Sequence, residues 1–357
     1  MTETAPSQLQ RILAAVQPLD APAMVAARLR EDQLTKPRGS LGRLEELAVQ
    51  LAGITAQALP RFLDKAVLVF AADHGVAREG VSAYPQEVTG QMVLNFLAGG
   101  AAINVLARQA GARVIVADFG VASDLPAHPE LRVCKLRGGT SNFAHEPAMT
   151  IAEAVACVEA GARIVDEEAA HGLDLIATGD MGIGNTTASS AIVAAMCGAS
   201  AAQVTGLGTG IDPTGWSHKV QVIQSAIEAL RPDPADPLDV LAKVGGFEIA
   251  GLAGAMLAAA GHRIPVVIDG FISGAAALIA VSLCPALQPY LIAAHTSVEV
   301  GHRLTLERLG LTPLLNLDLR LGEGTGAAMA MHLVDDSVAL LREMATFQSA
   351  GVADRDD

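Results

Sequence analysis

The chain is 357 residues long, 51 % apolar but only 3 % aromatic, and it contains 35 glycines. At roughly 150 residues per domain, this length suggests two domains, or one large domain with an appendage. High hydrophobicity beside a charged fraction of 17 % excludes disorder for most of it. With 38 acidic against 24 basic residues the net charge is −14, which argues against nucleic-acid binding and against anionic membranes.

The first residues, Met1 to Pro6, lack a basic stretch followed by an apolar one, so no secretory signal is expected and the chain reads as cytoplasmic. Cys134, Cys157, Cys197 and Cys284 form no CxxC pair and read as reduced, buried thiols. Residues 1–60 show helical patterns and no clear strand. Leu41 to Gln57 is amphipathic, with Leu41, Leu44, Leu47, Leu51 and Ile54 at helical spacing. Six apolar runs then read as buried parallel strands: Ala66–Ala72, Arg113–Ala117, Asp174–Thr178, Pro265–Ile268, Pro289–Ala294 and Pro313–Leu319. Each is followed by polar or glycine-rich residues and a helical pattern, as in a βα sheet whose ligands bind beyond the carboxyl ends of the strands. Thr150 and Glu153 make a capping box that opens a helix towards Gly172. The stretch Gly270 to Ala294 is uncharged and long enough to span a bilayer. Its glycines and prolines divide it instead into helix, turn and strand, so no membrane span is expected. After Ala327 the pattern is helical to about Met344, and the polar tail from Gln348 to Asp357 is expected to fray.

Four segments carry chemistry. Gly182-Ile183-Gly184-Asn185-Thr186-Thr187 opens a helix after a strand. Its free N–H groups and the positive helix end make an anion site, unless it is only a tight turn with an Asn/Thr cap. It has no Lys, so it is not the P-loop of nucleoside triphosphatases. In Gly206 to Asp212 the alternating glycines Gly206, Gly208 and Gly210 imply close backbone approach to a ligand, or a flexible loop. Nearby Lys219 either pairs with a phosphate or is solvated.

Leu319 to Ala327 contains Gly322-Glu323-Gly324-Thr325-Gly326-Ala327, which fits the dinucleotide pattern G-x-G-x-x-A. Glu323, however, would put a negative charge where a pyrophosphate lies. Only about 30 residues follow, too few for the ribose-binding half of such a fold. The glycines are better read as clearing space around a carboxylate whose proton affinity desolvation raises, poising it as a general base; a solvated loop glutamate is the alternative. The fourth segment, Asp73 to Pro85 with Gln91 beyond it, can clamp a planar ring, with Ser82 and Gln91 bonding ring nitrogens beside Tyr84. Alternatively, Tyr84-Pro85 is a turn anchor and Asp73 and His74 form an internal pair. His295 and His302 are two helical turns apart, roughly 10 Å, too far to share an ion. With no HExxH motif and no Cys/His cluster, no metal is expected. No G-x-S-x-G follows a strand, which counts against a serine hydrolase.

Together these segments resemble the nicotinate-nucleotide–dimethylbenzimidazole phosphoribosyltransferase family. The resemblance runs in order through Lys36-Pro-Arg-Gly-Ser-Leu-Gly-Arg-Leu-Glu45, Asp73-His-Gly-Val76, Glu79-Gly-Val-Ser82, Gly99-Gly-Ala-Ala-Ile-Asn104, Gly182 to Thr187, Gly206 to Asp212, Asp269-Gly-Phe-Ile-Ser273 and Gly322 to Ala327. It implies a Rossmann-like α/β fold with a mostly parallel sheet and flanking helices, residues 65–331. A small helical subdomain is built from both ends, residues 1–64 and 332–357. It further implies a homodimer without metal or cofactor that moves the phosphoribosyl group of nicotinate mononucleotide onto 5,6-dimethylbenzimidazole, giving α-ribazole 5′-phosphate and nicotinate with inversion at the anomeric carbon.

In that family a glutamate at the position of Glu323 takes the proton of the benzimidazole nitrogen. The expected substrate contacts are Ser82, Tyr84 and Gln91 around the base, Gly184, Asn185, Thr186, Gly208, Thr209, Gly210 and Lys219 around the phosphate, and Asp180, Met181, Gly182, Asp269, Ser273 and Leu321 about the reacting groups. The chain departs from the family at Asp180, where a glutamate is usual, one methylene longer. Two readings from other classes stand beside this one: a nicotinamide-dinucleotide oxidoreductase and a non-catalytic nucleotide-binding subunit.

Overall fold

The computed structural model describes residues 6–208 and 210–354. Six strands form one sheet: β1 (Lys65–Ala72), β2 (Ala112–Gly120), β3 (Leu131–Val133), β4 (Leu175–Met181), β5 (Val266–Ile268) and β6 (Leu291–Ala293). Their order is β3-β2-β1-β4-β5-β6 and every pairing is parallel. The chain adds strands outward from β1 on one side and then resumes on the other with β4. The crevice at the carboxyl ends of β1 and β4 is therefore the topological switch point, where open α/β sheets bind ligands.

Both faces of the sheet are buried, which is why its strands read as unbroken apolar runs. Along β1, Ala66, Leu68, Phe70 and Ala72 pack into a core with the helices Ile151–Ala169, Phe247–Gly261 and Phe271–Leu283. The alternate residues Val67, Val69 and Ala71 pack against Arg43–Thr55, Val88–Leu97, Ala102–Gln109 and Thr325–Glu343. The abundance of Gly and Ala reflects how closely the first layer packs. A Cβ on Gly161 would lie 1.9 Å from the Gly251 carbonyl oxygen, and one on Gly254 only 1.8 Å from that of Val158. Two helices thus touch backbone to backbone, with no flexible side chain able to yield. Gly254→Val is expected to destabilise the protein by about 3 kcal/mol or more, the upper end of overpacking costs. Chemical denaturation of the variant checks this.

Several expectations need correction. Pro313–Leu319 is not a strand. It runs as a loop over the end of β6, joined by one parallel bridge between Leu315 and His295, with the Leu314 and Leu315 N–H groups donating to Ala293 O and Ala294 O (3.0 and 2.9 Å). A single rung at a sheet edge, with Pro313 unable to donate, does not extend into a ladder. The sixth strand is instead β3. Strand β4 continues to Met181, so Asp180 and Met181 sit on the strand and not in the following turn. Pro289 belongs to a 3-10 turn, Pro285–Tyr290, that leads into β6.

At the chain ends, Ala21–Glu31 and Arg43–Thr55 pack on the last turns of Thr325–Glu343 through Ala23, Ala27, Ala48, Val49, Ala52 and Leu341. The expected division after residue 331 falls inside that one continuous helix. Between the two N-terminal helices, buried Lys36 places its Nζ 3.1 Å from Glu31 and 2.9 Å from Glu45, closing the Lys36–Glu45 loop on itself. The tail begins with a helical turn, Phe347–Ala350, whose Phe347 N–H donates to Gln33 O (2.9 Å), and only residues 355–357 of the tail lie outside the described residues.

Candidate active site

Glu323 stands in the turn between the loop over β6 and the helix Thr325–Glu343. Gly322, Glu323 and Gly324 have φ values of 79°, 63° and 87°. Glycine adopts this left-handed region freely, whereas a glutamate there is strained, a condition that concentrates at functional positions. The turn lies against the sheet because Gly179 of β4 has no side chain: a Cβ there would sit 2.5 Å from the Glu323 carbonyl oxygen. Glu323 is only 6 % exposed and its Oε2 has no hydrogen-bond partner among the described residues. Burial pushes its pKa up to about 6, with the Asp269 charge adding to the rise and the Ile103 N–H opposing it. It is therefore not a solvated loop residue.

Asp180, near the end of β4, lies against the same turn. Its Oδ2 accepts from Asn185 Nδ2 (2.9 Å) and its Oδ1 is unpartnered. Burial above all, then the charges of Asp269 and Glu248, raise its pKa well above the carboxylate range.

Across the crevice, the helix Asn185–Cys197 starts at Gly184 (φ 97°) with no side chain capping it; the Asn185 and Thr187 N–H groups turn back to Gly182 O and Gly184 O (3.1 and 3.0 Å), which leaves the Thr186 N–H and the helix dipole to an anion. The preceding turn is fixed from below. Ile183 N–H donates to Thr89 Oγ1 (3.1 Å), and the His74 side chain fills the space under Gly182 and Gly184. Lys219, from the helix Pro213–Leu230, is buried, and its Nζ donates to Thr186 Oγ1 (2.8 Å). Burial lowers its pKa to about 8, while the charge of Glu299 works the other way. Lys219 is thus not solvated. At the start of the glycine segment, Arg320 Nη1 donates to Gly208 O (3.1 Å), and Glu299 occupies the space a side chain on Gly206 would need. Thr209 lies outside the described residues; Gly210 is exposed.

The residues expected around an aromatic ring are largely exposed. Tyr84 is 55 % exposed, its N–H donating to Ser82 Oγ (3.2 Å), Gln91 is exposed on Val88–Leu97, and Leu321 is 56 % exposed. Met181 is half-buried at the end of β4. Ser273 is fully buried in Phe271–Leu283, its hydroxyl unpartnered.

Asp73 and His74 are not an internal pair. His74 Nε2 lies 2.6 Å from Glu248 Oε1, both side chains fully buried, while Asp73 accepts from the Ala122 N–H (2.7 Å) and the Thr89 hydroxyl. Sequence reading missed Glu248, Glu299 and Arg320, and weighed His295 only as a metal ligand. Only Glu248 leaves a trace, in the Gly245-Gly246 pair before it, where a Cβ on Gly246 would lie 2.3 Å from the His74 ring.

The histidine spacing also needs correction. His295 follows β6 in extended chain and His302 sits on the helix Val300–Leu309, so their ring centroids are 6.1 Å apart. His302 Nδ1 accepts from the Ser297 N–H (3.0 Å), and burial drives its pKa down to about 3. Between about pH 6.5, where an unfolded histidine titrates, and about 3, the unfolded chain takes up a proton that the folded one refuses. Stability is therefore present in full above that window and lost as pH falls through it, by roughly 3 kcal/mol between pH 6.5 and 4. Urea unfolding at the two pH values is expected to show that loss in the wild type and a smaller one in His302→Gln.

An uncapped helix start, a buried lysine and a strained, buried carboxyl thus gather at the carboxyl end of the sheet, an arrangement from which an α/β enzyme can hold a phosphorylated ligand. The sequence profile DBI_PRT, phosphoribosyltransferase, matches residues 16–352. The nicotinate-nucleotide–dimethylbenzimidazole phosphoribosyltransferase of Roseiflexus sp. (strain RS-1) is 61 % identical over 347 residues, 97 % of this chain and 98 % of its own length. The enzyme of the same name from Chloroflexus aggregans (strain MD-66 / DSM 9485) is 59 % identical over 98 % of this chain and 99 % of its own. The crystal structure of CobT from Thermus thermophilus superposes with a TM-score of 0.90 at 50 % identity, covering 94 % of this chain and 100 % of that one. The chain is an enzyme, a phosphoribosyltransferase, and it belongs to the nicotinate-nucleotide–dimethylbenzimidazole phosphoribosyltransferase family.

Proposed function

We propose that the enzyme transfers the phosphoribosyl group of nicotinate mononucleotide to 5,6-dimethylbenzimidazole, forming α-ribazole 5′-phosphate and nicotinate, in the assembly of the lower ligand of cobalamin. The 5′-phosphate lies on the N–H groups of Gly184 and Thr186 and on Lys219, beside Gly206 and Gly208. The base binds beside Ser82, Tyr84, Gln91 and Leu321. Its unprotonated ring nitrogen attacks C1′ as the bond from C1′ to the pyridinium nitrogen breaks. The electron pair of that bond goes to the nicotinate ring, which leaves without needing an acid. The other ring nitrogen becomes acidic and gives its proton to Glu323. Attack opposite to departure inverts the anomeric centre, and holding both rings and the sugar in line removes much of the entropic barrier. The helical ends, 1–64 and 332–357, flank the catalytic body 65–331, and the enzyme works as a homodimer.

The observation that carries this reading is the buried, unpartnered oxygen of Glu323, held in strained backbone and titrating at about 6, so that it is ionised at neutral pH and able to accept one proton. Chromatography of nicotinate released from the mononucleotide, with and without dimethylbenzimidazole, tests it. Release that depends on the added base, with an α-configured product by NMR, is expected. Binding without release would leave a nucleotide-binding protein in its place.

A further inference from the structure

The Asp269 side chain is fully buried at the carboxyl end of β5, yet it is already occupied. Its Oδ1 accepts from the Ala327 N–H (2.9 Å) and its Oδ2 from the Gly324 N–H (3.2 Å), and the Gly326 N–H also bonds to the carboxylate. These are N–H groups at the start of the helix Thr325–Glu343, whose own cap residue, Gly324, has no side chain to offer. A residue 55 positions earlier therefore caps this helix from outside. Because Gly324 follows Glu323 directly, the same contact holds the strained turn in place.

Behind Asp269 stands His295, its Nε2 3.6 Å from Oδ1. Its ring fills the space over Gly326, where a Cβ would fall 2.0 Å from it. We propose that Asp269, backed by His295, is a positioning residue that acts on the reaction through Glu323 and does not touch substrate. This rests on the reading of Glu323 as the base.

The groups facing this corner are Asp180 from β4, Glu248 from Phe247–Gly261, and His295 and His302 from the segment after β6. Of these neighbours, Asp269 is the carboxylate whose charge raises the proton affinity of Glu323. Neutralising it therefore lowers that affinity, and the acid limb of kcat/KM moves to lower pH. A loosened turn misplaces the base, which costs about ten- to a hundredfold in kcat with both KM values nearly unchanged.

The test is a double-mutant cycle with steady-state kinetics across pH, using nicotinate mononucleotide and dimethylbenzimidazole. Asp269→Asn is expected to lower kcat by that factor and shift the acid limb, and to cost almost nothing further in a Glu323→Gln background. Should Asp269→Asn not fold, His295→Gln carries the test, with a several-fold loss in kcat that is likewise silent in that background. A raised KM with kcat preserved, an unmoved acid limb in Asp269→Asn, or an undiminished loss in the Glu323→Gln background would overturn the proposal. Wild-type turnover in Glu323→Gln alone would instead sink the reading of Glu323 as the base.

Discussion

Glu323→Gln is expected to fold, to bind both substrates with KM values close to those of the wild type, and to lose roughly 10²–10⁴ in kcat, the usual contribution of a positioned general base. Glutamine has the same length and keeps an acceptor for the Ile103 N–H, but it cannot take a proton. Strain in the turn comes from the backbone of Gly322 to Gly324 and not from the carboxylate, so the geometry survives the exchange. The wild-type acid limb of kcat/KM is expected near pH 6, because Glu323 must be ionised to act and burial holds its pKa there. The limb disappears in the variant. Near-normal nicotinate release by Glu323→Gln, measured by chromatography, would remove the residue from the mechanism.

The fold was legible where burial was symmetrical. Strands β1, β2, β4 and β5 lie in the interior of the sheet, covered on both faces, and their apolar runs could be nothing else. The edge strand β6, buried as well, was also legible, but at the opposite edge this signal fails. Strand β3 is three residues long, holds Arg132, and leaves Val133 72 % exposed, so it has no apolar run to detect. Pro313–Leu319 misleads in the opposite sense, because its leucines cover the end of β6 without joining the ladder.

In the site, the turns around Gly184, Gly208 and Glu323 were legible because glycines mark backbone that must bend or approach closely. The partners that tune them were not. Glu299 sits in an ordinary Ser-Val-Glu-Val run and meets Lys219 only in three dimensions. His74 and Glu248 are 174 positions apart. Such pairings are created by the order of strands in the sheet, which no local pattern encodes.

Lys219→Met is expected to weaken nicotinate mononucleotide far more than it slows the chemical step. Methionine fills the same volume but carries no charge, so the phosphate keeps its backbone donors and loses its buried cation. Truncating one partner of a buried, hydrogen-bonded charge pair costs about 2–5 kcal/mol, which corresponds to a KM increase of at least about thirtyfold. The same lysine sets the alkaline limb. Its pKa is lowered to about 8 in the free enzyme, so above that pH the ammonium charge is lost and kcat/KM for the mononucleotide declines. The limb appears in kcat/KM and not in kcat, because a bound phosphate restores the charge. With the ribonucleoside of nicotinate, which has no phosphate, wild type and Lys219→Met should become nearly equal. A persistent difference on that substrate would mean that Lys219 serves the packing of Thr186 and Gly208 and not the phosphate.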